Sequence, residues 1–471
     1  MMRTTAKART LAVLLPLLLA GCAGAGDYRP PQLPVPPAWT AANAAPRSAP
    51  TPWWHDFADP ALDQLIAAGL ADNPDVAGAL ARLDQARAVA RQTRAAQLPS
   101  AQAQGTIARQ RQSVESGLGR LTRYVPTLSR VQNQGDIGIS AGWDIDFAGG
   151  LAAQARGSSA DAVAARAGVD VTRLAITAEI ADAYMTWRNA RADHALLLHE
   201  RDLIAQQAQI VAARVARGDA AQRDSDDADE LRDAITAALP DSQAAIATAQ
   251  HRLAILTGRP AGATLPELAA VTDIAPLPVA AEPAAGTPAD LLRARPDLVV
   301  AEARLRGSHA RIGAALSEYW PKFSLSGLFG FSSNDLSLLG TGGANVITGA
   351  VGLRWRLFDF GRVDGEVAQA RGAEREALAA YRGAVLSAGA DVENAFVALA
   401  AARATLSARV AADAAAAAAL DRIRASQHAG DISRIELVAG ETRRIDSARA
   451  LVAARTGLAR ALIGCHRALG G

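Results

Sequence analysis

Trp143-Asp144-Ile145-Asp146-Phe147-Ala148-Gly149-Gly150 opens a run that carries no proline from Gly149 to Leu239 and breaks once, at Arg217-Gly218-Asp219. Between the two breaks the run reads mainly as alanine, with arginine, glutamate and leucine, a composition that strongly favours helix. Gly149 and Gly218 are about 70 residues apart, so at roughly 1.5 Å per residue an unbroken helix would be on the order of 100 Å long. That is several times an ordinary globular helix. The phrase returns once, as Trp355-Arg356-Leu357-Phe358-Asp359 ahead of Gly361, with Gly430-Asp431 at the far end. Trp143 and Trp355, Gly149 and Gly361, and Gly218 and Gly430 are each separated by 212 residues. The sequence therefore predicts a very long helix, a sharp turn and a returning helix, made twice.

Each run follows a strand. Ile137, Ile139, Ala141, Trp143, Ile145 and Phe147 alternate with Asp136, Gly138, Ser140, Gly142, Asp144 and Asp146, the period of a half-buried strand. In the second half Ile347, Val351, Leu353, Trp355 and Leu357 stand opposite Thr348, Gly352, Arg354 and Arg356. A partner strand begins after Pro321, with Phe323, Leu325, Phe329 and Phe331 alternating with polar or small residues. Residues 99–111 make a weaker strand, while 112–134 and the glycine-rich 332–345 read as loops. Upstream, Leu62, Leu65, Ile66, Leu70, Val76, Leu80 and Leu83 recur at helical spacing, and Pro74 suits the first turn of a second helix. Pro74, Leu83, Pro99 and Gly105 reappear 222 residues later as Pro296, Leu305, Pro321 and Gly327. The chain is an internal duplication, each half running helix, strand, loop, strand, long helix, turn, helix. Pro240 is expected to interrupt the first returning helix.

Strands with one apolar face, a charged opposite face and aromatic ends suit a membrane barrel, although a soluble sandwich would look similar. Four strands cannot close a barrel, since bacterial ones have at least about 8. Either the sheet packs against something else or several chains share one barrel. The N-terminus favours sharing. Arg3, Lys7 and Arg9 precede a short apolar stretch, Leu11 to Ala20. Leu19-Ala20-Gly21-Cys22 resembles the bacterial lipobox, in which the chain is cut before the cysteine and the cysteine acylated; Ala23 after it favours the outer membrane. The expected divisions are a signal peptide (1–21), a lipid-anchored Pro/Ala-rich tether (22–52), a first repeat (53–258), a Pro-rich linker (259–289), a second repeat (290–464) and a C-terminal tail (465–471).

Composition excludes more than it proposes. A net charge of +2 with 20% charged residues implies no nucleic-acid partner. With Cys22 acylated, only Cys465 remains, leaving no disulfide framework or cysteine metal site. The acidic run Asp224-Ser225-Asp226-Asp227-Ala228-Asp229-Glu230 fails as an EF-hand, because Asp229 stands where Gly is needed and Ile235 where Glu is needed. His194 and His199, five apart, cannot share a helix face as a metal pair. Gly340-Thr341-Gly342-Gly343 lacks the Lys-Ser/Thr of a phosphate loop. No metal, cofactor or catalytic nucleophile is expected, and the chain does not read as an enzyme.

Three phrases resemble a known family. Trp53-Trp54-x-x-Phe57-x-Asp59-Pro60-x-Leu62-x-x-Leu65-Ile66 with Asn73-Pro74-Asp75 is similar to the opening of outer-membrane factors of the TolC/OprM type, the NodT-like lipoproteins of resistance-nodulation-division efflux systems. Leu291-Leu292-Arg293-x-Arg295-Pro296-Asp297, with Ala310-Arg311-Ile312-Gly313 and Pro321, resembles the family's central signature. Trp355-x-Leu357-Phe358-Asp359-x-Gly361-Arg362 resembles a third. The resemblance implies a mainly α chain with a β-barrel contribution. It implies a homotrimer in the outer membrane, with four strands per chain in one shared barrel and long helices forming a periplasmic α-barrel. It also implies a passive exit for small solutes, fed by an inner-membrane transporter through a periplasmic adaptor.

By the same resemblance Gly218, Asp219, Gly430 and Asp431 would form periplasmic tips that dock the adaptor. Asp224 and Glu436 would line the entrance, with Ile435 as an apolar constriction; each acid also suits an ordinary helix first turn. A threefold ring of acids would favour cations. Ala439 and Gln427 stand where relatives often carry a second acid and a gating tyrosine. Asp144, Asp146, Arg354 and Arg356 would face the barrel lumen as paired charges. The competing readings are a periplasmic adaptor, which has one such hairpin, and a coiled-coil scaffold without a pore.

Overall fold

The computed structural model describes residues 26–31, 36–41, 52–125, 127, 129–271, 283–290 and 295–471. The signal peptide, Cys22, most of the tether, the middle of the Pro-rich linker and Leu291-Leu292-Arg293 lie outside the described residues. The chain divides into two compact units. Unit 1 comprises Leu83–Ala164 and Ala301–Ala380 with the N-terminal segment up to Pro31; unit 2 comprises the segment up to Arg82, Ala165–Val300 and Tyr381–Gly471.

Unit 1 contains an antiparallel sheet in the order β1 (Ser100–Arg111), β2 (Val131–Ile145), β3 (Lys322–Ser333) and β4 (Asn345–Arg354). Ile139 pairs with Ala103 on one side and Phe329 on the other, and Phe329 pairs with Ile347. Trp143, Leu325 and Val351 form a second row of the same face. Because strand side chains alternate, this register gathers the apolar residues of all four strands on one side. Ile107, Ile347 and Val351 keep 75%, 74% and 76% of their surface exposed. The opposite side carries Gln102, Asp136, Ser140, Asp144, Ser324 and Arg354. Such a face, and the two unpaired edges β1 and β4, are surfaces that call for a cover and for further pairing outside this single chain.

The reading of 112–134 as loop needs amendment, because α3 (Gly117–Tyr124) forms within it, capped by Ser116 Oγ accepting from the Gly119 N–H at 3.2 Å, and β2 begins at Val131. The strands also stop at Ile145 and Arg354, short of Phe147, Trp355 and Leu357. Ile139→Arg, near the middle of β2, is expected to cost about 2–4 kcal/mol of refolding stability in lipid. Denaturant titration in vesicles measures it; a loss below ~0.5 kcal/mol would mean that the face does not meet lipid.

The long helices run as the duplication requires. α4 (Gly150–Ala216) has 67 residues and its counterpart α8 (Arg362–Ala429) has 68. The returning helices α5 (Gln222–Leu256) and α9 (Arg434–Leu469) have 35 and 36. α1 (Pro60–Asp72), α2 (Pro74–Ala95) and α7 (Pro296–Leu316) precede the strands of each half, and α6 (Pro266–Ala269) is one turn in the linker. α5 passes through Pro240 without stopping. Pro240, Thr236 and Ala237 all lie on the exposed side, so water can satisfy the carbonyls that the proline leaves unbonded. α9 likewise continues through the expected tail as far as Leu469 before Gly470 caps it, and Cys465 is buried within it.

Ion pairs link α4 and α9 across the packed core of unit 2. Arg449 Nε donates to Asp193 Oδ1 at 2.7 Å, and Arg460 Nε to Asp182 Oδ1 at 2.5 Å. Leu203, Val438 and Ile445 make an apolar cluster on the same seam. Glu200 is buried beside it, 3.6 Å from Arg449 Nη1, and burial together with Asp446 pushes its carboxyl above the usual range.

Candidate functional site

The residues that the sequence singles out lie in the sheet and at the hairpin tips. At the sheet, the tryptophan near the end of each repeat's second strand is fixed by the same bond. Trp143 Nε1 donates to the Gln97 carbonyl at 2.9 Å, and Trp355 Nε1 to the Tyr319 carbonyl at 3.0 Å. Gln97 and Tyr319 are themselves 222 residues apart, so the duplication extends to single hydrogen bonds. Indole rings bonded at one end and apolar elsewhere are what a membrane–water boundary selects.

Of the four expected lumen charges, Asp144 and Arg354 do lie on the polar side of the sheet, opposite Ser324 and Lys322. Asp146 and Arg356 lie beyond the strand ends. Asp146 accepts from the Leu151 and Ala152 N–H groups at 3.0 and 2.7 Å, capping α4. Arg356 pairs with Glu318 at 3.0 Å and Glu366 at 3.2 Å. Both fasten strand to helix.

At the first tip Gly218 has φ +77°, its N–H donates to the Val215 carbonyl at 2.9 Å and the Asp219 N–H to the Arg214 carbonyl at 2.8 Å. At the second, Gly430 has φ +86°, its N–H donates to the Gln427 carbonyl at 3.1 Å and the Asp431 N–H to the Ser426 carbonyl at 2.9 Å. This is the left-handed glycine stop of a helix. A Cβ at either position would meet nothing within 4 Å, so backbone conformation rather than crowding demands glycine.

The acids that follow have local duties. Glu436 Oε2 accepts from the Ser433 N–H at 2.8 Å while Ser433 Oγ accepts from the Glu436 N–H at 3.3 Å, a reciprocal cap. Asp224 Oδ2 accepts from the Ala221 N–H at 3.2 Å, and alanine has no side chain with which to return the bond. Both carboxylates remain exposed. Ile435 is not free in the single chain: with Val215 it packs partly buried against Ala208, Val211 and Ala228. Arg434 Nη2 also donates to Gln206 Oε1 at 3.0 Å, so the two tips of one chain are tied together. The acidic run after the first tip is a solvated helix face, with Arg223–Asp227 and Arg232–Asp229 pairs along α5. Among the described residues no group of three or more His, Cys, Asp or Glu is placed to hold a metal ion.

Sequence reasoning missed the buried knot at the start of unit 2. Asp59 Oδ1 caps α1 through the Ala61 N–H at 2.9 Å. Its Oδ2 accepts from the Tyr184 hydroxyl at 2.6 Å and from Arg188 Nη1 at 2.7 Å. Burial, then the bond to Asp59, pushes the Tyr184 phenol well above its usual range. Asp59-Pro60 signalled the cap; nothing local signalled its partners 125 and 129 residues on.

The family model for outer membrane efflux proteins matches residues 65–259 and 287–471. The chain belongs to that family. Outer membrane protein OprJ of Pseudomonas aeruginosa is 29% identical over 401 residues, covering 82% of this chain and 80% of OprJ. The pyoverdine export outer membrane protein OpmQ of Pseudomonas putida is 31% identical over 393 residues, covering 81% and 80%. The solved outer-membrane channel OprN is 27% identical with a TM-score of 0.80, over 96% of this chain and 99% of that one. This outer membrane efflux protein thus resides in the outer membrane and extends into the periplasm as an exit duct.

Proposed function

We propose that the protein is the outer-membrane component of a tripartite pump, a homotrimer whose copies share one barrel. It conducts small solutes onward from a periplasmic adaptor and an inner-membrane transporter of the resistance-nodulation-division type. Acylated Cys22 adds a lipid anchor. The observation that carries this reading is the four-stranded sheet with an exposed apolar face and two open edges, which is incomplete until sister chains pair with β1 and β4. The alanine-rich, largely exposed side of α8 supports it: small side chains permit close helix approach by a neighbouring copy. Gly218, Asp219, Gly430 and Asp431 form the adaptor-docking tips, and Asp224 and Glu436 ring the entrance, with Ile435 beside them.

Planar-bilayer recording of the purified trimer tests the proposal and is expected to give discrete conductance steps. Glu436→Gln is expected to shift the reversal potential toward lower cation preference. A stable monomer without conductance would refute the shared pore. An unchanged reversal potential would remove Glu436 from the ring while leaving the pore intact.

A further inference from the structure

Unit 1 holds a cavity of about 790 Å³ that the duct function does not use. From α4 it is lined by the apolar Ala152, Ala155, Ala160 and Val163 together with Arg156 and Ser159. Three guanidinium groups stand around it, Arg94 on α2, Arg156 on α4 and Arg306 on α7, against a single lining carboxylate, Asp27. Arg94 Nη2 donates to a neutral partner, Ser159 Oγ, at 3.0 Å. Arg306 Nη2 bonds Glu302 Oε1 at 3.0 Å and its guanidinium lies 5.3 Å from the centroid of the Tyr28 ring. His309, also lining, is engaged by Glu374 at 2.6 Å and by the Gly26 carbonyl at 2.9 Å, so it adds no free cation.

The cavity also adjoins the end of the sheet. Gln97 lines it, and the Gln97 carbonyl is the acceptor for belt residue Trp143. Gly26 lines it too, four residues from Cys22 and hence within about 14 Å of that cysteine along any path of the chain. Guanidinium groups beside alanine and valine side chains, next to a sheet end that carries a bonded tryptophan, are complementary to a phosphate carrying acyl chains.

We infer that this cavity binds the phosphate headgroup of an acidic phospholipid from the periplasmic leaflet of the outer membrane, with Arg94, Arg156 and Arg306 holding the anion and the alanine and valine side chains of α4 taking the start of the acyl chains. The inference rests on the outer-membrane seat of the sheet and not on the trimer, adaptor or pump assignments. A bidentate guanidinium–phosphate contact keeps the lipid in register with the belt tryptophans.

Native mass spectrometry of the full chain, released from vesicles of equal phosphatidylglycerol and phosphatidylethanolamine, provides the test. Wild type is expected to retain phosphatidylglycerol over phosphatidylethanolamine by at least tenfold. The triple variant Arg94→Gln/Arg156→Gln/Arg306→Gln should lose that preference. Arg156→Gln alone, at an exposed position, should reduce it severalfold with unchanged circular dichroism. Excess inorganic phosphate should leave the retained lipid in place; displacement by phosphate alone would overturn the lipid assignment in favour of a free-anion site. Equal retention of the two lipids, or equal retention by wild type and the triple variant, would overturn the site.

Discussion

Gly430→Pro is expected to abolish export in the native host while leaving detergent-resistant assembly unchanged. At φ +86° the native backbone lies far from the roughly −65° that a proline ring imposes, and the ring removes the N–H that bonds the Gln427 carbonyl. Both bonds that end α8 and aim α9 would go, and the tip would open into a new path. Gly430→Ala separates shape from presence. It keeps the N–H, has open space for its methyl and bears about 1–2 kcal/mol of left-handed strain, so most export should survive. Accumulation of a pump substrate in cells relying on each variant reads the difference. If the proline variant exports as wild type does, docking at this turn is wrong, whatever becomes of the barrel.

The second large effect is on stability. Asp59→Ala should cost about 3–5 kcal/mol, because it strands the Arg188 guanidinium and the Tyr184 hydroxyl without their acceptor as well as uncapping α1. Asp59→Asn keeps one oxygen, enough for the cap of α1, but puts an amide NH2 where Oδ2 accepts from Tyr184 and Arg188 and gives up the charge, so it should fall between. Thermal melting of the protein in detergent orders the three. An Asn variant as stable as wild type would mean that neutral hydrogen bonds, and not the ion pair, hold the knot.

The large features were legible because each has a long-range signature of its own. Two proline-free runs ending at Gly218 and Gly430 could only be helices of matched length, and the strict alternation from Asp136 to Phe147 could only be a strand with one apolar face. Pro240 misled, because the rule against proline in helices presumes that the freed carbonyls are dry, and here they face water. Residues 112–134 misled in the opposite direction: a helix of eight residues leaves too little periodicity to rise above a polar, glycine-bearing background. The duties of Asp146 and Arg356 were hidden for a third reason. Period two continues in the sequence past Ile145 and Arg354, but the hydrogen-bond ladder stops there and the helix termini claim those charges. The Asp59 knot depends on which helix lies beside which, and no window of sequence contains that.

The matched arms carry an evolutionary consequence. One residue inserted into α4 alone would advance everything beyond it by about 1.5 Å and rotate it by about 100°. Val215 would then swing away from the patch that it shares with Ile435, and Gln206 away from Arg434. Descendants of this gene can therefore lengthen or shorten their duct only by compensated changes, whole turns added to or removed from both arms together, so that its reach evolves in steps rather than residue by residue.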